Sequence, residues 1–186
     1  MRFGAAWGCG IPAAEMSWRS RILLGCLALA GCGYQFVGAA GPLGGIESVA
    51  IRTPRNDSFE PGVEYLVADA LRRELLRRGS ADLSEDPEGA DLVVTGSVRP
   101  LQVVPRSFSS VVLVFEYEVT MTVDLVARRR DGSELPVEER ALRESERFLA
   151  SADVEVQRKN RQEALRRLSQ VVAARFFDSI AEVSLQ

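Results

Sequence analysis

The chain has 186 residues, a formal net charge of −3, and apolar and charged contents of 46% and 26%, which are ordinary for a globular protein. It contains no histidine, which excludes histidine-based nucleophilic catalysis and histidine metal sites. All three cysteines lie within the first 32 residues, so the rest of the chain can hold neither a disulfide nor a thiolate metal site. Basic residues are spread along the chain beside acids, which argues against a nucleic-acid surface.

The first predicted element is a bacterial secretion signal over residues 19–31. Two arginines precede an apolar core of nine residues, Ile22–Ala30. This core is far shorter than the roughly 20 residues that a helix needs to span a bilayer. The segment is therefore predicted to be an export signal and not a transmembrane helix.

The signal ends in the sequence LAGC, which resembles the lipobox of bacterial lipoproteins. The resemblance implies cleavage between Gly31 and Cys32, acylation of Cys32 on sulfur and nitrogen, and a mature chain that starts there. We expect no cofactor beyond this covalent lipid and no metal. Cys26, in the similar sequence LLGC, is the alternative, but cleavage there would leave too short an apolar core upstream.

The N-terminal region divides at the predicted cleavage site. Residues 1–31 are a leader and signal peptide, and Met16 would begin a more compact signal than the first methionine does. Residues 32–45 carry the acylated cysteine and the small-residue sequence GAAGPLGG, which is typical of a flexible tether. Gly33, in place of an aspartate, resembles the enterobacterial sorting signal for release to the outer membrane.

Residues 46–186 are predicted to form a single domain that begins with a strand, IESVAIRTP, and a helix. Asp57 or Ser58 is expected to cap the helix, and Gly79 to end it. Apolar residues at helical spacing form its buried face: Val63, Leu66, Val67, Ala70, Leu71 and Leu75. The arginines of its last turns read as a solvated helix end.

Three strands are predicted next. The segment ADLVVTGSVRPLQVV has an almost continuous apolar run, which indicates a central strand, and Gly96 within it indicates a bulge or a close backbone approach. The segment VFEYEVTMTVDLVAR alternates apolar and polar residues, which predicts a long strand with one covered and one wet face. Asp131-Gly132 predicts a hairpin turn and an antiparallel return over residues 135–149.

The last predicted element is a helix capped by Asp153 that reaches to about Val183. Its apolar stripe is Ala164, Leu165, Leu168, Val171, Val172, Phe176 and Ile180. The order β-α-β-β-β-α predicts an α+β fold. We expect a two-layer sandwich, in which two amphipathic helices cover one face of a four-stranded, mostly antiparallel sheet.

Six features occur in a fixed order: LAGCGYQF, IRTPRNDSFEPGVEYLVADALRRELLRRG, ADLVVTGSV, FEYEVTMTVDLV, a DG turn, and NRQEALRRLSQVVAARFFDSI. Together they resemble the LptE family, the lipopolysaccharide-assembly lipoproteins of Gram-negative outer membranes, over residues 29–183. The resemblance implies a protein without catalytic activity, held by lipid on the periplasmic face of the outer membrane. It also implies a role as a plug and assembly partner of the LptD β-barrel, assisting the delivery of lipopolysaccharide to the outer leaflet.

Such a role requires cations that meet the phosphates of lipopolysaccharide. Arg106, just before the long strand, is the first candidate and Arg99 the second; the alternative is that both are solvated loop arginines. Alternatively, Glu116 and Glu118 can form ion pairs with basic residues of a barrel lumen.

Two other functions fit parts of the pattern. Activators of peptidoglycan synthases place a similar strand behind a lipobox, but on a long tether. Here about a dozen residues separate Cys32 from Ile46, which keeps the domain within roughly 50 Å of the membrane. A lipid-tethered hydrolase would need two carboxylates in a cleft, whereas alternation places Glu116 and Glu118 on the wet face of a strand.

Replacing the lipobox cysteine tests the predicted anchor. We expect Cys32→Ala to abolish incorporation of labelled palmitate into the protein in a bacterial host, because the thiol is the acceptor of the diacylglyceryl group. Cys26→Ala is the matched control and should label like the wild type. Loss of label in Cys26→Ala with retention in Cys32→Ala would move the anchor to the upstream cysteine.

Overall fold

The computed structural model describes residues 43, 45–107, 116–137 and 139–184. The predicted signal, Cys32 and most of the tether lie outside the described residues, as do residues 108–115. The described elements, in chain order, are β1 (Ser48–Ile51), β2 (Arg55–Asn56), α1 (Val63–Arg78), β3 (Asp82–Ser84), β4 (Leu92–Val98), β5 (Gln102–Ser107), β6 (Glu116–Arg129), β7 (Ala141–Leu149) and α2 (Val154–Ser184).

All seven described strands belong to one sheet, and β6 is the strand that joins its two halves. Residues 123–129 of β6 pair antiparallel with β4, whereas residues 116–120 pair with β5 along the same edge. The opposite edge of β6 pairs antiparallel with β7. Beyond β4, the sheet continues through β1 to β3, and both of these pairings are parallel.

The α+β class and the two helices are confirmed, but the prediction of four strands is wrong. The predicted central strand is interrupted at Pro100, which has no N–H to donate to the ladder, and it becomes β4 and β5. The additional strands β2 and β3 are only two and three residues long and pair parallel with β4 and β1. The sheet is therefore mixed, with its long pairings antiparallel and its short ones parallel.

Helix α1 begins without a side-chain cap. Its N-cap is Gly62, with φ 85°, so the prediction that Asp57 or Ser58 caps the helix is wrong. Those side chains are engaged within the preceding turn. The predicted end is confirmed, because Gly79 has φ 59° and donates its N–H to the carbonyl of Leu75. The apolar face is buried as predicted, except that Leu66 is only partly covered.

Helix α2 is capped as predicted. The Asp153 carboxylate accepts the backbone N–H groups of Glu155 at 2.8 Å and Val156 at 3.3 Å. The apolar stripe is buried except for Val171, which is 45% exposed, because the buried face includes Ala173 and Phe177 instead. Within the described part of the chain, neither helix combines the length and apolar character that crossing a membrane requires.

Arg78 joins the two helices, so it is not a solvated residue as the sequence indicated. Its guanidinium donates to the carbonyl of Ala174 at 3.0 Å and to the Asp178 carboxylate at 2.8 Å, and it lies 5.9 Å from the Phe177 ring centroid. The same group pairs with Glu74 at 2.7 Å. Hydrogen bonds from Arg77 and then Arg78 lower the pKa of Glu74 to about 2.

Alternation along β6 separates the two faces of the sheet as predicted. Val119, Met121, Val123, Leu125 and Ala127 are buried against the helices in one core. The intervening residues from Glu116 to Asp124 lie on the opposite face. Phe115, which was expected to continue the apolar set, lies outside the described residues.

Gly96 marks a close backbone approach, as the sequence indicated. It lies opposite Leu125 in the β4–β6 ladder. A Cβ atom at this position would stand 2.1 Å from the carbonyl oxygen of Asp124 and 2.8 Å from the Leu125 side chain. Because the nearest atom is backbone, a side chain here requires the two strands to separate.

Gly96→Ala is expected to destabilise the domain by about 2–3 kcal/mol, as overpacking against backbone does. Urea denaturation followed by circular dichroism measures the loss. Ser97→Ala, the next residue along β4, is the matched control and should stay within about 0.5 kcal/mol of the wild type. An unchanged denaturation midpoint for Gly96→Ala would show that β4 and β6 are not packed this closely.

Candidate functional site

The sheet face that points away from the helices carries polar and charged side chains from three strands. The register places side chains of β5, β6 and β7 side by side on it, in alternation with the buried set. We call this surface the open face. Its members are Gln102, Val104, Arg106, Glu116, Glu118, Thr120, Thr122, Asp124, Arg143, Ser145 and Arg147, together with Arg99 between β4 and β5.

Hydrogen bonds that involve no carboxylate occupy the centre of the open face. The hydroxyl oxygens of Thr120 and Ser145, which are directly opposite each other on β6 and β7, are 2.7 Å apart. Thr120 is only 7% exposed, so its hydroxyl needs this partner. Arg143 donates to the side-chain oxygen of Gln102 at 3.2 Å, across β6. Side chains of three strands are thus joined by polar contacts.

A charged cluster lies beside this centre. Arg106 on β5 donates to the Glu118 carboxylate, and Arg147 on β7 lies 3.6 Å from Glu118 and 3.7 Å from Glu116. The hydrogen bond from Arg106 is the main cause that lowers the pKa of Glu118, and the charges of Arg106 and Arg147 add to it against the cost of burial. Glu118 is therefore held as an ionised member of this cluster.

Arg99 forms a separate ion pair. Its Nε and Nη2 atoms donate to the two carboxylate oxygens of Asp124, each at 2.6 Å. Asp124 and Glu118 are six residues apart on β6, a separation of about 20 Å along a strand. The structure therefore does not bring Arg99 and Arg106 into one site. Their side chains are about half exposed, at 54% and 49%, and phosphate binding by either stays a prediction.

Sequence reasoning missed the basic residues that complete this surface. Arg147 faces Glu118 only because the β6–β7 register aligns them, and that register was not assigned from the sequence. Arg52, Arg128 and Arg130 line a groove at the far end of the same face. The run of three arginines over residues 128–130 could have indicated a basic surface from the sequence alone. Nothing in the sequence indicated that Arg52 lies next to this run.

The open face presents groups that can bind a polar partner. Each of its described carboxylates pairs with an arginine of the same face. Among the residues that the structure describes, no group of three or more acidic or cysteine side chains could hold a metal ion. The surface offers hydrogen-bonding groups, and its three carboxylates are paired with arginines, whereas Arg143 donates to the neutral amide of Gln102.

The domain is thus an α+β fold whose helices cover one sheet face and whose other face is polar and carries ion pairs. The LptE family model, described as lipopolysaccharide-assembly, matches residues 46–180. The chain belongs to this family. At the family level it is a non-enzymatic lipopolysaccharide-assembly lipoprotein of the cell envelope.

Solved structures with low sequence identity share the fold. Rare lipoprotein B from Shewanella oneidensis superposes with a TM-score of 0.52 at 13% identity, over 75% of this chain and 97% of that chain. A protein from Xanthomonas campestris superposes with a TM-score of 0.51 at 14% identity, over 80% of this chain and 93% of that one. Comparison with curated protein sequences gives no match.

The charged cluster makes the thermal stability of the domain depend on pH in the acidic range. The pKa of Glu118 lies below its ordinary value of 4.5, so its ion pairs stabilise the fold above about pH 4.5 and are lost as the pH falls through the lowered pKa. We expect the melting temperature of Glu118→Gln to fall less steeply than that of the wild type on acidification below about pH 4.5.

Glu163→Gln provides the matched control, since Glu163 pairs with Arg167 at 3.5 Å and Arg166 at 3.8 Å on the exposed side of α2. This variant should keep the wild-type slope. Parallel melting curves for Glu118→Gln and the wild type would show that the open-face pairs do not form in solution.

Proposed function

We propose that this protein is an outer-membrane lipoprotein that fills the lumen of an LptD-type β-barrel, helps to assemble that barrel, and assists delivery of lipopolysaccharide to the outer leaflet. Membership of the family supports lipopolysaccharide assembly. The observation that carries the barrel role is the open face, a broad sheet surface whose carboxylates are already paired with arginines.

The lumen of a large transmembrane barrel is polar and water-filled. A domain that enters it must present hydrogen-bonding groups without leaving uncompensated charges against the barrel wall. The open face meets this requirement, because Glu118 and Asp124 are neutralised by arginines of the same surface. The buried apolar residues of the sheet form one core with the two helices, whereas Val103, Val104 and Leu149 on the strands are exposed.

A lipid on Cys32 would supply the attachment to the membrane. Each buried methylene contributes roughly 0.8 kcal/mol, and a single acyl chain binds only marginally. A triacylated cysteine would hold the domain almost permanently. The short tether predicted over residues 32–45 would then keep the domain beside any barrel in the same membrane.

Lipopolysaccharide contact through Arg106 and Arg99 remains part of this proposal. A guanidinium has five N–H donors, so an arginine that pairs with a carboxylate can still donate to a phosphate. The half-exposed state of both groups leaves room for such a ligand. A phosphate at Arg106 would nevertheless compete with Glu118, which weakens this site at neutral pH.

Affinity isolation of the tagged chain from detergent-solubilised membranes tests the proposal. We expect a large β-barrel protein to co-purify, and depletion of the chain to leave lipopolysaccharide in the periplasm. Recovery of a penicillin-binding protein instead of a barrel would overturn the assignment and favour an activator of peptidoglycan synthesis.

A charge reversal tests whether this partner contacts the open face. Glu118→Lys leaves Arg106 and Arg147 without their carboxylate and adds a third cation, so we expect recovery of the barrel to fall severalfold. Glu163→Lys makes the same charge change on α2 and should recover the barrel like the wild type. Equal recovery by both variants, each with a folded circular dichroism spectrum, would exclude the open face as the contact surface.

A further inference from the structure

A second basic feature lies on the open side of the sheet, at the end where β1 begins. It is a groove of about 300 Å³ between the loop before β4 and the turn after β6. We call it the arginine groove. Its lining includes Arg52, Arg128, Arg130, Val93, Thr95 and Glu88.

Strand register explains why the groove is basic. Ala50 pairs with Val93, and Val93 pairs with Arg128, so these three residues share one face of the sheet. The backbone N–H of Arg52 donates to the carbonyl of Val94 at 3.0 Å, which continues the β1–β4 ladder and places Arg52 on the side of Ala50. Arginines that are far apart in the chain therefore meet over a floor of small side chains.

The arginines of the groove are only partly neutralised by protein carboxylates. Arg128 pairs with Glu134 at 3.0 Å, and Glu134 is shared with Arg140 at the same distance. Arg130 lies 3.2 Å from the Asp91 carboxylate. Arg52 has no hydrogen bond or ion pair from its side chain to any described residue.

These contacts leave guanidinium N–H donors without an acceptor among the residues that the structure describes. The Nε and Nη2 atoms of Arg130 donate mainly to the backbone carbonyls of Ala90 and Gly89. Arg128 donates to Glu134 through one terminal nitrogen. Each guanidinium carries five N–H donors in a planar fork that matches a phosphate group. The acidic groups facing the groove are Glu88 at its rim and the two paired carboxylates, Asp91 and Glu134.

We propose that the arginine groove binds the phosphoryl group of a lipid headgroup. Arg52 supplies the uncompensated charge, Arg128 and Arg130 supply further donors, and the Thr95 hydroxyl lies in the floor. The groove is open to solvent and holds a headgroup-sized volume. Glu88 opposes the bound anion and limits its affinity.

The position of the groove favours a lipid over a free anion. Asp91 accepts the backbone N–H groups of Glu47 at 3.2 Å and Ser48 at 3.1 Å through one carboxylate oxygen, and its other oxygen faces Arg130. The groove therefore adjoins the residues through which the chain enters the fold from the tether. This inference rests on the proposed lipid anchor at Cys32 and is independent of the barrel partner.

Lipid binding by the acylated full chain in dodecyl maltoside micelles tests the groove. Diphosphoryl lipid A and phosphatidylglycerol are titrated separately, with uncharged diglucosyl diacylglycerol as the lipid that lacks phosphate, and binding is followed by microscale thermophoresis. We expect Arg52→Gln to weaken binding of a phosphate lipid about tenfold, as loss of a charge-assisted contact does. Glu88→Gln should strengthen the same binding by about twofold to threefold, because it removes an opposing charge.

Arg143→Gln is the matched control, since Arg143 is an arginine of the open face that bonds only an amide oxygen. It should bind each lipid within twofold of the wild type, and all variants should melt like the wild type. The phosphate lipid whose binding responds to Arg52 and Glu88 identifies the headgroup source.

The proposal is overturned if Arg52→Gln binds both phosphate lipids like the wild type, if the uncharged lipid binds equally well, or if the wild type binds neither phosphate lipid. These outcomes do not affect recovery of a barrel by the tagged chain. Failure of the groove and failure of the barrel assignment are therefore distinguishable.

Discussion

Side-chain alternation along β6 is the constraint on which both faces of this domain depend. Three strands, β4, β5 and β7, pair with this one strand, so its register sets theirs. A shift by one residue would move the buried set to the open face and bury Glu118 and Asp124 beneath the helices. The burial of apolar side chains therefore fixes the placement of the ion pairs, although the two lie on opposite sides of the sheet.

The open face shows how a protein without catalytic groups can carry a specific surface. Its arginines come from β7 and from either end of β5, whereas its carboxylates come from β6, so the pairs exist only when the sheet is correctly assembled. Individual exposed pairs contribute little to stability. Their larger effect is to remove net charge from a surface that, in the proposed role, faces the polar wall of a barrel. The arginine groove differs, because Arg52 there has no side-chain partner among the described residues.

The sequence predicted the long helices and strands better than it predicted the short strands and the start of α1. The long alternation of β6, the DG turn and the Asp153 cap were correct because each depends on neighbouring residues only. The helix cap at Asp57 or Ser58 was wrong, since Gly62 in a left-handed conformation begins α1 without a side-chain acceptor. Strands β2 and β3 were missed because two or three residues carry no periodic signal.

The candidate site was harder to predict than the fold, for the same physical reason. Arg106 and Arg99 were chosen because they precede the long strand, but the residues that neutralise them could be known only from strand register. Arg147 and Arg52 reach the same face through pairings between segments that are distant in the chain. Composition and local pattern carry no information on such pairings, so the charge balance of a surface has to be read from the structure.

Arginine accessibility in the presence of the barrel tests the central claim most directly. The chain, alone and in the co-purified complex, is labelled with phenylglyoxal, and modification is quantified by peptide mass spectrometry. Arg99 and Arg147 are 54% and 62% exposed in the isolated domain, so both should react there. We predict that modification of Arg99 and Arg147 falls severalfold in the complex. Equal modification of both arginines in the two samples would contradict a role in which the open face lies against the barrel wall.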